Sequence, residues 1–297
     1  MKKIIAIIGA RRQFIKHAPV ALAMQSDFVL KTLHTGQHYD ENMSKIFFDE
    51  LNIPRPDYQI ELSGQTHGHQ TGEMLKAIES ILLQESPDAV LVYGDTNSTL
   101  AGALAAVKLH IPVIHIEAGL RSFNKTMPEE INRLLTDQIS DLLFCPNQNA
   151  LSQLRKEGIS SEAYVTGDIM ADLLKITAPK LTNFSTEFVY ATLHRPYNTD
   201  DPKRLKSILL SLNNLDWKVK FSIHPRTKKV MENNALSEKS FENIEFITPL
   251  GYFENLKHLK SAKAVVTDSG GMQKEAYLLK TPCITLRSET EWTETLV

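Results

Sequence analysis

A chain of 297 residues carries 33 lysines and arginines against 35 aspartates and glutamates, a formal net charge of -2. That balance excludes a general nucleic-acid binder, which needs a basic excess to displace counterions, and the length accommodates about two domains. No apolar run reaches the ~18 residues of a membrane span, and two cysteines without metal-type spacing, Cys145 and Cys283, point to a reducing, cytoplasmic setting with no disulfide or zinc framework.

Short β-branched apolar runs alternate with longer helical patterns from the N-terminus onward. Strands are expected over 4–8, 28–34, 89–93, 113–117, 142–144 and 163–166. Helices are expected over 13–24, 41–49, 70–83, 98–109, 129–139 and 149–157. The strand runs are almost continuously apolar, as a parallel strand covered by helices on both faces requires. Strand–helix repetition with right-handed crossovers makes a doubly wound layer. From about 171 to 186 the pattern pauses, and Pro179, Thr182, Asn183 and Ser185 read as an interdomain linker. It restarts with strands over 188–193, 218–223, 244–248, 264–266 and 283–286, and helices over 202–212, 228–233, 253–259 and 272–279. The expected fold is α/β, with two Rossmann-like domains over 1–174 and 175–297 and a central cleft. A further helix pattern starts at 289 and is cut off at 297, so the C-terminus reads as truncated.

In open α/β sheets, ligands bind beyond the carboxyl ends of the strands. The first strand is followed by Gly9-Ala10-Arg11-Arg12-Gln13-Phe14-Ile15-Lys16, which is not the dinucleotide fingerprint. Instead Arg11 and Lys16 flank a helix N-terminus, where backbone dipoles favour an anion; the alternative is a solvated basic turn. Asp95 and Glu117 stand at two consecutive strand ends. Asp95 is either a site carboxylate or an N-cap of the next helix. Glu117 is either a site carboxylate or a structural partner of Arg121 or Arg133. Glu129 follows Pro128 in a first turn where acids are ordinary, and is weak evidence alone. Gln37 and His38 follow the second strand as polar cleft residues, and His67 and His69 lack the companions a metal site needs. In the second half, His194 follows a strand, and Ser269-Gly270-Gly271 joins a strand directly to a helix, with Glu275 four residues on. That turn either cradles a diphosphate or is an ordinary tight turn.

Taken in order, Gly9-Ala10-Arg11, Thr35-Gly36-Gln37-His38, Gly94-Asp95-Thr96, His115-Ile116-Glu117-Ala118-Gly119-Leu120-Arg121, Pro128-Glu129-Glu130-Ile131-Asn132-Arg133, His194-Arg195 and Thr267-Asp268-Ser269-Gly270-Gly271 run the length of the chain. With them the chain resembles the non-hydrolysing UDP-N-acetylglucosamine 2-epimerases. The resemblance implies the glycosyltransferase-B fold, a homodimer, and interconversion of UDP-GlcNAc and UDP-ManNAc without a bound cofactor or metal. It implies that Asp95, Glu117 and Glu129 are catalytic and that His194 contacts the diphosphate. It places Arg11, Lys16 and Arg133 in the cleft, Ser269, Gly270 and Gly271 at the diphosphate, and Glu275 at the ribose hydroxyls. The implied route eliminates UDP to a 2-acetamidoglucal and adds it back with protonation of C2 from the other face.

Two positions depart from that pattern. Arg12 stands where relatives carry proline, and Trp292 follows Thr290-Glu291 where UDP-GlcNAc epimerases carry arginine. The Gln13-Phe14-Ile15-Lys16 and Thr290-Glu291-Trp292 forms resemble the branch acting on UDP-2,3-diacetamido-2,3-dideoxyglucuronate, a surface-polysaccharide precursor. A glycosyltransferase of the same fold is the competing reading from another class. It predicts an acceptor site and no paired carboxylates on the rim of the first domain.

Overall fold

The computed structural model describes residues 1–37, 54–62, 66–181, 187–287, 290 and 295, apart from the side chains of Arg11 and Lys180. It divides into two compact units, Met1–Ile176 and Thr177–Val297. The first runs β1 (Lys2–Ile8), α1 (Arg11–Met24), β2 (Phe28–His34), β3 (Tyr58–Gln59), α2 (His67–Glu85), β4 (Ala89–Tyr93), α3 (Asn97–Lys108), β5 (Val113–Ile116), α4 (Pro128–Ile139), β6 (Leu142–Cys145), α5 (Gln148–Lys156), β7 (Glu162–Val165) and α6 (Ile169–Thr177). The second runs β8 (Phe188–Thr192), α7 (Pro196–Thr199), α8 (Pro202–Asn213), β9 (Lys218–Ser222), α9 (Pro225–Asn233), β10 (Ile244–Ile247), α10 (Tyr252–Ser261), β11 (Ala264–Thr267), α11 (Gly270–Leu278) and β12 (Cys283–Thr285).

Each unit is a Rossmann-like layer. The seven-stranded sheet has the order β3-β2-β1-β4-β5-β6-β7 and the five-stranded sheet β10-β9-β8-β11-β12. Every strand pair is parallel. The order reverses direction between β1 and β4 in the first sheet and between β8 and β11 in the second. A doubly wound sheet opens its binding crevice at those points.

The apolar runs explain the cores. Ile4 to Ile8 are buried along β1, as a central strand covered on both faces must be. On α2, Met74, Ile78 and Leu82 recur every four residues and are fully or almost fully buried against Ile5, Ile7, Val90 and Val92. The Ala- and Gly-rich α3 closes directly onto the sheet, and a Cβ on Gly102 would come within 2.7 Å of Ile7 Cδ1. Leu205, Leu209 and Leu212 of α8 repeat the device against Val189, Ala191 and Phe221.

Three expectations change. The pause from 171 is not a loop throughout, because α6 runs to Thr177 and a single 3-10 turn, Ala178–Lys180, follows. The strand expected over 113–117 stops at Ile116, since Glu117 leaves extended backbone with φ +72. Short β3 and α7 have no counterpart in the sequence reading. The helix expected over 41–49 lies outside the described residues. Among the described residues no helix is long and apolar enough to cross a membrane.

Candidate active site

At the first switch point the chain turns through Gly9 and Ala10 into α1. A Cβ on Gly9 would fall 2.0 Å from Thr35 Oγ1 and 2.1 Å from Ser98 Oγ, so only glycine fits where β1, β2 and α3 converge. Gln13, almost fully buried, ties the turn down. Its Oε1 accepts from the amides of Gly9 (2.8 Å) and Ala10 (3.0 Å), and its Nε2 donates to the Tyr93 carbonyl at 2.9 Å. A glutamine at the third helical position reaching back to the cap backbone is one half of a capping box; the alanine at the cap cannot supply the other half, so no sequence signature announces it. Gln37 joins the same junction, its Oε1 accepting from the Ser98 amide at 2.9 Å and the Ser98 hydroxyl at 2.6 Å.

Lys16, one turn further along α1, makes an ion pair with Glu117, and both side chains are about nine-tenths buried. Arg121 and Arg133 pair with Asp137 and Asp95. The left-handed backbone of Glu117 is uncommon for a residue with a side chain, and such outliers persist where surrounding structure imposes them. The amides of Glu117 and Ala118 both donate to the Phe144 carbonyl at 3.0 Å, which imposes it. Gly94, with φ +61, leaves room for the pair: a Cβ there would lie 3.2 Å from both Lys16 Nζ and Glu117 Oε2.

Asp95 is not the helix cap. Thr96 caps α3, its Oγ1 accepting from the Thr99 amide at 3.3 Å, and the Asp95 carboxylate turns instead to Arg133 Nη2. Arg133 also donates to Glu130 at 2.9 Å. Asn132 Nδ2 donates to the Asp95 carbonyl at 3.0 Å, so two neighbouring residues of α4 hold one aspartate. Glu130 is buried; burial would raise its pKa, but bonds from Ser122, Arg133 and Phe123 outweigh this and hold it below the usual range. It anchors Arg133. Glu129, beside it on the first turn of α4, is exposed.

The second unit repeats the plan at its own switch point. His194 follows β8 and Asp268 follows β11. Asp268 is fully buried and accepts from His194 Nδ1 at 3.0 Å, the His194 and Arg195 amides at 3.1 and 3.0 Å, and Asn198 Nδ2 at 3.1 Å. Burial raises its pKa, but those donors prevail and hold it below the usual aspartate range. The His194 imidazole is therefore oriented by Asp268, with its ring 5.8 Å from that of His224. Ser269 caps α11 through its Oγ and the Met272 amide (3.4 Å), and Gly270 opens the helix. The amides at this N-terminus form a ready anion site. Glu275 is buried on α11, with Asn255 Nδ2 3.3 Å from its Oε2. Asp268 and Asn198 have no role in the sequence reading, although Asp268 sits inside the motif that flagged the turn.

Arg11 opens α1 by its backbone; His38 and Trp292 lie outside the described residues. Among the described residues no group of three His, Cys, Asp or Glu side chains is placed to hold a metal ion.

A family model described as UDP-N-acetylglucosamine 2-epimerase matches residues 20–297. The chain belongs to that family. It is 51% identical over 309 residues to a UDP-N-acetylglucosamine 2-epimerase homolog of Methanococcus maripaludis, covering 99% of this chain and 86% of that protein. It is 50% identical to the UDP-2,3-diacetamido-2,3-dideoxy-D-glucuronate 2-epimerase of Pseudomonas aeruginosa, covering 98% and 85%. The crystal structure of the Methanocaldococcus jannaschii UDP-GlcNAc 2-epimerase in complex with UDP-GlcNAc and UDP superimposes with a TM-score of 0.86 at 45% identity, covering 99% of this chain and 86% of that one. These relatives share the glycosyltransferase-B type of fold with this epimerase.

Proposed function

We propose that the chain is a non-hydrolysing UDP-N-acetylglucosamine 2-epimerase, an isomerase that interconverts UDP-GlcNAc and UDP-ManNAc. The observation that carries the reading is the buried Lys16–Glu117 pair beside the Arg133-held Asp95, on the carboxyl rim of the first sheet. A C2 proton beside an acetamido group is not acidic, so inversion by simple deprotonation is unfavourable. In the elimination route the C2–H bond and the C1–O bond to UDP both break, leaving 2-acetamidoglucal and UDP. UDP then re-adds at C1 while C2 takes a proton on the opposite face. Carboxylates that can accept and return that proton are what Asp95 and Glu117 supply, with Glu129 as a third acid in the same segment. His194 and the Ser269-Gly270-Gly271 turn hold the diphosphate as charge develops on it, with Arg11 and Lys16 adding cations. Glu275 takes the ribose hydroxyls, and Gln37 and His38 contribute to substrate binding.

A second substrate is favoured by one finding. The relative acting on UDP-2,3-diacetamido-2,3-dideoxyglucuronate is as similar as those named for UDP-GlcNAc. In the sequence Trp292 supplies a flat apolar face, the kind that suits the amide plane of a 3-acetamido group, where an arginine would offer charge instead. The reading includes a homodimer and a cytoplasmic setting. Incubating the protein with UDP-GlcNAc and following the anomeric proton signals tests it: UDP-ManNAc should grow in without stoichiometric free UDP. UDP-GlcNAc left unchanged while the diacetamido sugar is epimerised would move the assignment to that substrate; no reaction with either would overturn it.

A further inference from the structure

His115, on β5, is fully buried, and both ring nitrogens face oxygen. Its Nδ1 lies 2.7 Å from Oδ1 of Asp137 on α4, and its Nε2 lies 2.8 Å from the Gly94 carbonyl. A carbonyl only accepts, so Nε2 carries a proton. Asp137 accepts at its other oxygen from the Gly119 amide at 3.0 Å and from Arg121 Nη1 at 2.7 Å. Burial raises the Asp137 pKa, yet His115 and Arg121 outweigh it and keep it below the usual range. An ionised Asp137 leaves Nδ1 as a donor as well, and a ring that donates from both nitrogens is an imidazolium.

Arg121 also donates from Nε and Nη2 to Glu157, so it bridges two carboxylates. Cys145 on β6 and Arg155 on α5 also face this network; burial and then Asp137 push the Cys145 thiol up to about 11 against the opposing pull of Arg155 and Arg121, so the thiol brings no charge at neutral pH.

The network reaches both acid-bearing turns. Through Gly94 it grips the residue preceding Asp95, which also packs against the Lys16–Glu117 pair. Through the Gly119 amide it grips the turn that follows Glu117. We propose that His115 is a resident imidazolium and, with Asp137, a positioning residue that sets Asp95 and Glu117 in one arrangement. The protonation assignment stands on the contacts of both ring nitrogens and of Asp137, while the effect on turnover rests on the epimerase reading above.

The experiment is nitrogen NMR of the full chain labelled at histidine, without substrate. His115 is assigned by its contacts to Gly94 and by the signals missing from His115→Gln. Both ring nitrogens should carry protons in the folded protein at neutral pH, as the two contacts require. Asp137→Asn should convert the ring to a single N–H. A wild-type ring with one bare nitrogen overturns the proposal whether or not any sugar is turned over. In the active enzyme, Asp137→Asn should lower kcat about 10-fold or more with KM within about twofold, the scale of a displaced catalytic group. Asp137→Glu should restore part of it. An unchanged kcat would remove the positioning role.

Discussion

Glu117 and Glu129 share a residue type and a sequence neighbourhood but not a structural environment. Glu117 is nine-tenths buried, ion-paired and held at positive φ, whereas Glu129 is exposed on the first turn of α4. Glu117→Gln keeps the shape and removes the charge, so turnover should fall by about 100-fold or more while UDP affinity by calorimetry stays near wild type. Glu129→Gln should cost less, and an equal loss would show that α4 moves its first turn toward substrate. Gly9 is constrained differently. A methyl group there would meet two hydroxyl oxygens at 2.0 and 2.1 Å, both of them buried. Gly9→Ala should therefore lower the unfolding free energy by about 1–3 kcal/mol, the scale of an overpacked core, as read by urea denaturation.

Among the elements, α1 is fastened to the sheet by polar residues as well as by apolar ones. His17 is buried, with Nδ1 2.9 Å from the Tyr93 hydroxyl and Nε2 3.0 Å from Thr32 Oγ1, and burial lowers its pKa to about 4. The folded ring stays neutral where the unfolded ring, near 6.5, takes up a proton. Between those values the unfolded chain binds more protons, so stability should fall as pH drops from about 6.5 to about 4. His17→Gln should flatten that window in a urea series. The end of α2 has the same sign at lower pH. Glu85 accepts from Lys31, Tyr58 and Lys3, which draw its pKa down to about 2. Its contribution is present above the ordinary glutamate value and is lost as pH falls through about 2. Glu85→Gln should leave the His17 window in place and reduce the loss at the acid end.

For the molecule as a whole, the two parallel layers were legible because central strands such as β1 are apolar on both faces. The short β3 was not, because Tyr58–Gln59 pairs only through its position beside β2. The switch-point turns were legible as well: Gly9, Gly94-Asp95 and Ser269-Gly270 each follow a strand directly. What joins them was not. The Lys16–Glu117 pair spans 101 residues and the His194–Asp268 amide contact 74, and no local pattern announces such pairings. Gln13 follows an alanine cap and carries no signature, and Asp137 resembles any aspartate on a helix until β5 brings His115 against it. The central claim is that Asp95 and Glu117 move the C2 proton of a UDP-sugar during elimination and return of UDP. Its most direct test is proton NMR in deuterated water, with the wild type and Glu117→Gln each given UDP-GlcNAc. The wild type should place solvent deuterium at C2 of both epimers without net release of UDP, and Glu117→Gln should do so at least about 100-fold more slowly while still binding UDP. Retention of the original hydrogen at C2 through epimerisation, or exchange undiminished in Glu117→Gln, would contradict it.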